Sequence, residues 1–165
     1  MQSETVSLID ADHAAFVQRG VSISAAACGR NNMPSQSRAK GCRLSYDRLT
    51  LTLFFSASQA ADLLRDIRDN GAIAVVFSEP PTHRTVQLKG KDARVSPMLD
   101  GDLRIVESYC DAFVQSLEPL GYSPPTIRTM LAYRPDDLVA VSFTPAQGFS
   151  QTPGPGAGEP LRKPA

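Results

Sequence analysis

Tryptophan is absent from the 165 residues, aromatic side chains make up 7%, and histidine occurs only at positions 13 and 83. Cysteine is present three times, as Cys28, Cys42 and Cys110. That odd, widely spaced set gives neither a disulfide framework nor, with so few histidines, a zinc pattern. These thiols read as buried and free. Charge of one sign is also missing, because 17 Lys and Arg balance 17 Asp and Glu. No net positive field exists to hold DNA or RNA, and an uncharged chain self-associates more readily. No apolar run approaches the roughly 20 residues needed to span a bilayer. The start, Met1 to Asp12, is acidic and lacks a basic segment followed by an apolar one, which predicts no signal peptide and a cytoplasmic protein. There is no Gly-Xaa-Ser-Xaa-Gly elbow, no phosphate loop ending in Gly-Lys-Ser/Thr, and no carboxylate pair placed for acid–base work. Gly154-Pro-Gly-Ala-Gly158 lies in a proline-rich tail without a preceding strand, so it is no nucleotide fingerprint.

What is present suits one domain with a core that needs no metal or disulfide: 42% of residues are apolar and the mean hydropathy is -0.18. Residues 1–145 are expected to form it, with 146–165 as a Pro/Gly-rich tail that is either mobile or laid on another surface. Asp10 to Gln18 reads as a short helix that Asp10 or Asp12 could cap and Gly20 could end. Val21 to Cys28 opens with strand alternation, Gly29 to Pro34 is a loop, and Ser35 to Leu44 returns as a second strand. Leu49 to Phe55 is the clearest strand. Ser56 and Ser58 then offer caps to a helix running to about Asp69, striped by Ala60, Leu63, Leu64 and Ile67. Ala72 to Phe77 and Arg84 to Val95 are strands around the Pro80-Pro81 loop. Helices follow over Leu103 to Leu120 and from Ser123 to about Tyr133, and Leu138 to Thr144 is the last strand. Six strands in short-turn succession with peripheral helices predict a mainly β fold, a six-stranded antiparallel Greek-key barrel rather than a doubly wound sheet.

Two segments carry possible chemistry. In Ser37 to Arg43, Arg38 and Lys40 share one strand face and Arg43 takes the other. Ser56-Ala-Ser58-Gln59 opens a helix whose free N–H groups attract anions, so a phosphate could bridge arginine and helix start. The same residues also read as a solvated exterior with ordinary capping. In Arg84 to Gly90, Thr85 and Gln87 alternate with apolar residues and could bond the edge of a polar ring such as a flavin, or simply line water.

With the strand between them, these segments resemble the core of the pyridoxamine 5'-phosphate oxidase family, its FMN-binding split barrels. Arg38 and Arg43 stand where that family places an Arg and a Lys on one strand. Phe54-Phe55-Ser56 matches its aromatic strand end and Val75-Val76-Phe77 its apolar strand. Arg84-Thr-Val-Gln-Leu-Lys-Gly90 matches its Arg-Gln-Val-Arg segment and the glycine after it. The likeness runs from about Phe16 to Pro97 and is closer to uncharacterised flavin-binding relatives than to the oxidase. It implies a split barrel working as a homodimer, with FMN in the clefts between subunits and a small-molecule oxidoreduction. Its cofactor set would be Arg38, Lys40, Arg43, Ser56, Ser58, Gln59, Arg84, Thr85 and Gln87. The sequence departs from the family pattern where Gln59-Ala60 replaces Arg-Lys, where Thr85 replaces Gln and Gln87 replaces Arg, and in lacking the late arginine–histidine motif. The alternative is a split-barrel protein that binds haem or another ligand without oxidase activity, with His83 or His13 as the axial ligand.

Overall fold

A computed structural model describes residues 7–30 and 32–162. Residues 1–6, half of the acidic start, Asn31 in the first predicted loop and residues 163–165 at the end of the predicted tail lie outside the described residues. The elements run α1 (Ala11–Val17), β1 (Ser22–Cys28), β2 (Pro34–Arg38), β3 (Cys42–Leu44), β4 (Leu51–Ser56), α2 (Ala61–Asn70), β5 (Ile73–Ser78), β6 (Thr85–Gly90) and β7 (Arg94–Ser96). They continue with α3 (Asp102–Leu117), a 3-10 turn Glu118–Leu120, α4 (Pro124–Met130), a 3-10 turn Pro135–Asp137, β8 (Leu138–Phe143) and β9 (Gln147–Ser150).

The strands form two sheets, β2-β1-β5-β6-β9 and β3-β4-β8-β7, with every neighbouring pair antiparallel. The antiparallel pairing and flanking helices are as expected, but the described residues form nine strands in two sheets where a split barrel of six strands is expected. The difference arises where single alternating segments change partner. Ala39 N–H donates to Ile23 of β1, whereas the next residue, Lys40, donates to Phe54 of β4. Gly41, at φ +137, makes the bend that this exchange needs, a conformation open to glycine alone at little cost. The predicted strand Ser35 to Leu44 is thus β2 in one sheet and β3 in the other. Arg84 to Val95 divides the same way into β6 and β7. Period-two alternation reports which face is buried, not which neighbour the backbone pairs with.

In the five-stranded sheet the inner positions Ile23, Ala25, Val75, Phe77, Val86 and Leu88 are buried, while the alternate residues are half-exposed. Helix α2 packs on the inner side through Leu63, Leu64 and Ile67. It ends at Gly71, φ +71, whose N–H bonds the Ile67 carbonyl. Strand β4 is buried along its whole length, between β3 and β8. Of the two candidate caps, Asp10 and Asp12, it is Asp10 that caps α1, accepting from His13 N–H at 2.8 Å. Residues 147–150, which the sequence places in the tail, add β9 to the sheet edge. The chain then turns back on it: Ser150 N–H donates to Glu159 O and Leu161 N–H to Gly148 O, both at 2.8 Å.

Candidate functional site

The nine expected cofactor residues fall into separate places. Arg43, opposite Thr52 on β4, donates through Nε to Asp102 Oδ1 at 3.0 Å and through Nη2 to Oδ2 at 3.4 Å. Asp102 is 2% exposed and also accepts Leu99 N–H at 2.9 Å, so this pair fastens α3 to the four-stranded sheet. Ser56 lies four residues further along β4, roughly 13 Å from Thr52. Its hydroxyl donates to Asp137 Oδ2. Ser58 Oγ donates to the same oxygen at 2.7 Å, and Ser58 N–H reaches Asp137 Oδ1 at 3.1 Å. The donors read as an anion cradle are thus filled by a carboxylate of the chain itself. Gln59 donates Nε2–H to the Ala132 carbonyl at 3.1 Å. Arg84 pairs with Asp12 and lies 4.4 Å over the Phe16 ring, which binds α1 to the start of β6.

Lys40 is 2% exposed, and burial pulls its ammonium pKa down. Alternation puts it on the face of Arg38, but it sits beyond the strand end, where the chain passes between the sheets.

Three of the nine do share a surface. Arg38, Ser24, Val76, Gln87 and Phe149 form one row across the outer face of the five-stranded sheet, and Thr85 stands beside Ser78 in the next. From β2 to β6 that row spans about 14 Å, three strand spacings. Arg38 is half-buried, donates Nη1–H to Ser22 Oγ at 2.8 Å and lies 5.7 Å over the Phe113 ring. Thr85 Oγ1 and Ser78 Oγ bond at 2.9 Å. Gln87 accepts from Gln151 Nε2 at 3.5 Å through its carbonyl oxygen.

This face continues into a cleft of about 730 Å³, in the size range of small-molecule sites. Its floor is Ala26, Cys28, Pro34, Ala72 and Ala74, and Lys89 and Lys91 line one side. Small side chains on a sheet leave a flat surface that a planar molecule can approach closely. Sequence reasoning missed the cleft, although the alternation that picked out Thr85 and Gln87 reaches Lys89 at the next position. Asp137 carried no local signal, because its partners are 79 and 81 residues away.

The two histidines stand apart from this cleft. His13 Nδ1 is 2.8 Å from Asp10 Oδ1 within the helix cap. His83 is exposed on the β5–β6 loop at φ +61. Among the described residues no helix is long and apolar enough to cross a membrane.

The Asp137 contacts carry a prediction. Hydrogen bonding from Ser56, then Ser58, lowers the Asp137 pKa below its usual value. The anion therefore stabilises the fold fully above about pH 4, and that contribution disappears as pH falls through the lower folded-state value. Asp137→Asn should flatten the fall of melting temperature between about pH 5 and pH 2. An acid slope equal to that of the wild type would show that these bonds do not favour the charged form.

No family model and no curated protein matches this sequence. Solved structures do match. HupZ of Group A Streptococcus superposes with a TM-score of 0.55 at 15% identity, covering 91% of this chain and 99% of that one. A protein of Lactobacillus delbrueckii, assigned provisionally as a pyridoxamine 5'-phosphate oxidase, gives 0.52 at 13% identity over 90% and 99%. An F420 reductase gives 0.51 at 15% identity over 81% and 93%. The chain has the fold of the pyridoxamine 5'-phosphate oxidase-like proteins. FMN can be weighed against the residues themselves. Its phosphate does not fit the serine turn, which Asp137 fills, and Arg43 is held on Asp102. A planar ring does suit the outer sheet face.

Proposed function

We propose that the protein binds a flavin-type ring against the outer face of the five-stranded sheet, that a second copy of the chain covers this face, and that it acts as an oxidoreductase on a small molecule. The observation that carries the reading is the row Arg38–Ser24–Val76–Gln87, which runs beside the alanine-floored cleft. It offers a flat floor wide enough for a fused ring, with the Gln87 side chain at one end. The fold supports it too, since one structural neighbour is by name an F420 reductase and another carries a pyridoxamine 5'-phosphate oxidase assignment. A bound flavin supplies the electron-transfer chemistry. The chain's part is to present the floor, to hydrogen-bond the ring edge through Gln87 and Thr85, and to exclude water when the second copy closes over the face.

The experiment is a titration of the purified protein with riboflavin and FMN, read by flavin fluorescence, together with its solution mass by light scattering. Saturable binding at micromolar concentration by a dimer is expected. Gln87→Ala should weaken it about tenfold, the worth of one well-placed hydrogen bond. No response to either flavin at about 100 µM, a concentration that detects even weak sites, would end the flavin reading.

A further inference from the structure

The serine turn offers no free cradle for an anion, because Asp137 takes its donors. Seven arginines among the described residues pair with carboxylates: Arg19 with Glu79, Arg30 with Asp69, Arg43 with Asp102, Arg65 with Asp62 and Asp66, Arg84 with Asp12, Arg128 with Asp111 and Arg134 with Asp136. The groove between β2 and α2 that Ser58 and Gln59 line is bordered by Asp62 and Asp66, with Arg65 held by both. An incoming anion meets carboxylates there.

The cleft on the outer face has the opposite character. Its lining contains no carboxylate, and neither Lys89 nor Lys91 pairs with one among the described residues. The Lys89 ammonium is held 5.2 Å over the Phe149 ring, which fixes its position without neutralising it. Lys89 also lies directly opposite Ala74 on β5, so the cation borders the apolar floor. In a chain of zero net charge, two cations without an ion-pair partner beside an apolar cleft make a local positive field where low-dielectric walls strengthen it.

We propose that this cleft selects flat apolar anions, with the body of the ligand on Ala26, Ala72 and Ala74 and its carboxylate, phosphate or sulfonate between Lys89 and Lys91. The inference rests on the placement of a ring against this face argued above, and adds the charge of the ligand and the residues that read it.

Two probes with one framework test it: 1-anilinonaphthalene-8-sulfonate, and N-phenyl-1-naphthylamine, which lacks the sulfonate. The wild type should bind the sulfonate at one saturable site, about tenfold more tightly than the neutral probe, and less tightly as salt is added. Lys89→Gln/Lys91→Gln should remove the preference and leave the affinity for the neutral probe within about twofold. Lys89→Arg/Lys91→Arg should restore it. Near-UV circular dichroism checks that each variant keeps its packed core. Equal affinities in the wild type, a preference that survives the glutamine variant, or no saturable sulfonate binding at about 100 µM would each overturn the proposal. Flavins separate the two readings. If the sulfonate binds selectively and neither flavin binds, the flavin reading fails alone. If riboflavin and FMN bind equally and the glutamine variant changes neither, the lysine assignment fails alone.

Discussion

Replacing Gly20 with alanine should lower the melting temperature by about 10 °C, the largest loss expected from any single methyl group in this protein. Gly20 joins α1 to β1 where α3 crosses them. A Cβ there would lie 2.4 Å from the Ala112 carbonyl carbon, 2.6 Å from its oxygen and 2.7 Å from the Phe113 nitrogen. These are backbone atoms in the middle of a helix, so no rotamer change relieves the overlap. Either α3 or the α1–β1 junction must move. The junction is pinned on both sides: Tyr109 Oη donates to the Val21 carbonyl at 2.8 Å, and Cys42 Sγ lies 3.1 Å from the Val17 carbonyl oxygen. A shift of α3 would break the first of these and disturb Phe113, which packs on Tyr109 and under Arg38. Overpacking typically costs 1–3 kcal/mol, and a rigid backbone neighbour puts this site at about 3 kcal/mol. A chain of this length loses roughly 2–4 °C per kcal/mol. Gly101→Ala is the contrasting variant. Its Cβ would meet nothing within 4 Å, so only the φ of +90 opposes it, at about 1–2 kcal/mol. A Gly20→Ala melting temperature within about 2 °C of wild type would mean that α3 does not press on this junction.

The sequence shows α1, with an aspartate cap, and the α2 stripe ending at Gly71, because helix periodicity and caps are local signals. The buried face of β1 is legible for the same reason, whereas β5 reads only as a continuous apolar run and its half-exposed alternate residues are not marked. What stays hidden is each event that depends on distant residues. At Ala39 and Lys40 adjacent backbone amides donate to different sheets, and nothing in the alternation of Ser35 to Leu44 marks the exchange. The candidate site divides along the same line. That Ser56 and Ser58 offer clustered donors follows from their position before a helix. That Asp137 accepts from them does not, since only the pairing of β4 with β8 brings the Pro135–Asp137 turn to the end of β4. Likewise Arg43 looks like a free cation until α3 folds over it and supplies Asp102. Arg38, Thr85 and Gln87 share a face because alternation, a local signal, puts each on the outer side of its strand, whereas the β2-β1-β5-β6 order that aligns them is not local.

Ala74→Trp should abolish flavin binding while leaving the fold intact, a separation that tests whether the outer face is the binding surface. Ala74 sits between Ala26 on β1 and Lys89 on β6 and forms part of the cleft floor. It is half-buried on the side away from the core, so an indole there extends over the sheet without entering the packed layer. Strands accept aromatic residues at least as readily as alanine, and the melting temperature should stay within about 2 °C of wild type. The indole would fill the space that a planar ligand needs against the floor. An affinity loss of at least 100-fold, about 2.7 kcal/mol, is expected for riboflavin and FMN alike, since both place the same ring there. The neighbouring inner position shows why this is not a stability effect. Val75 is fully buried against the core, and tryptophan at that position would unfold the sheet. Undiminished flavin affinity in Ala74→Trp, with an unchanged melting temperature, would move the ligand off this face and take the proposed function with it.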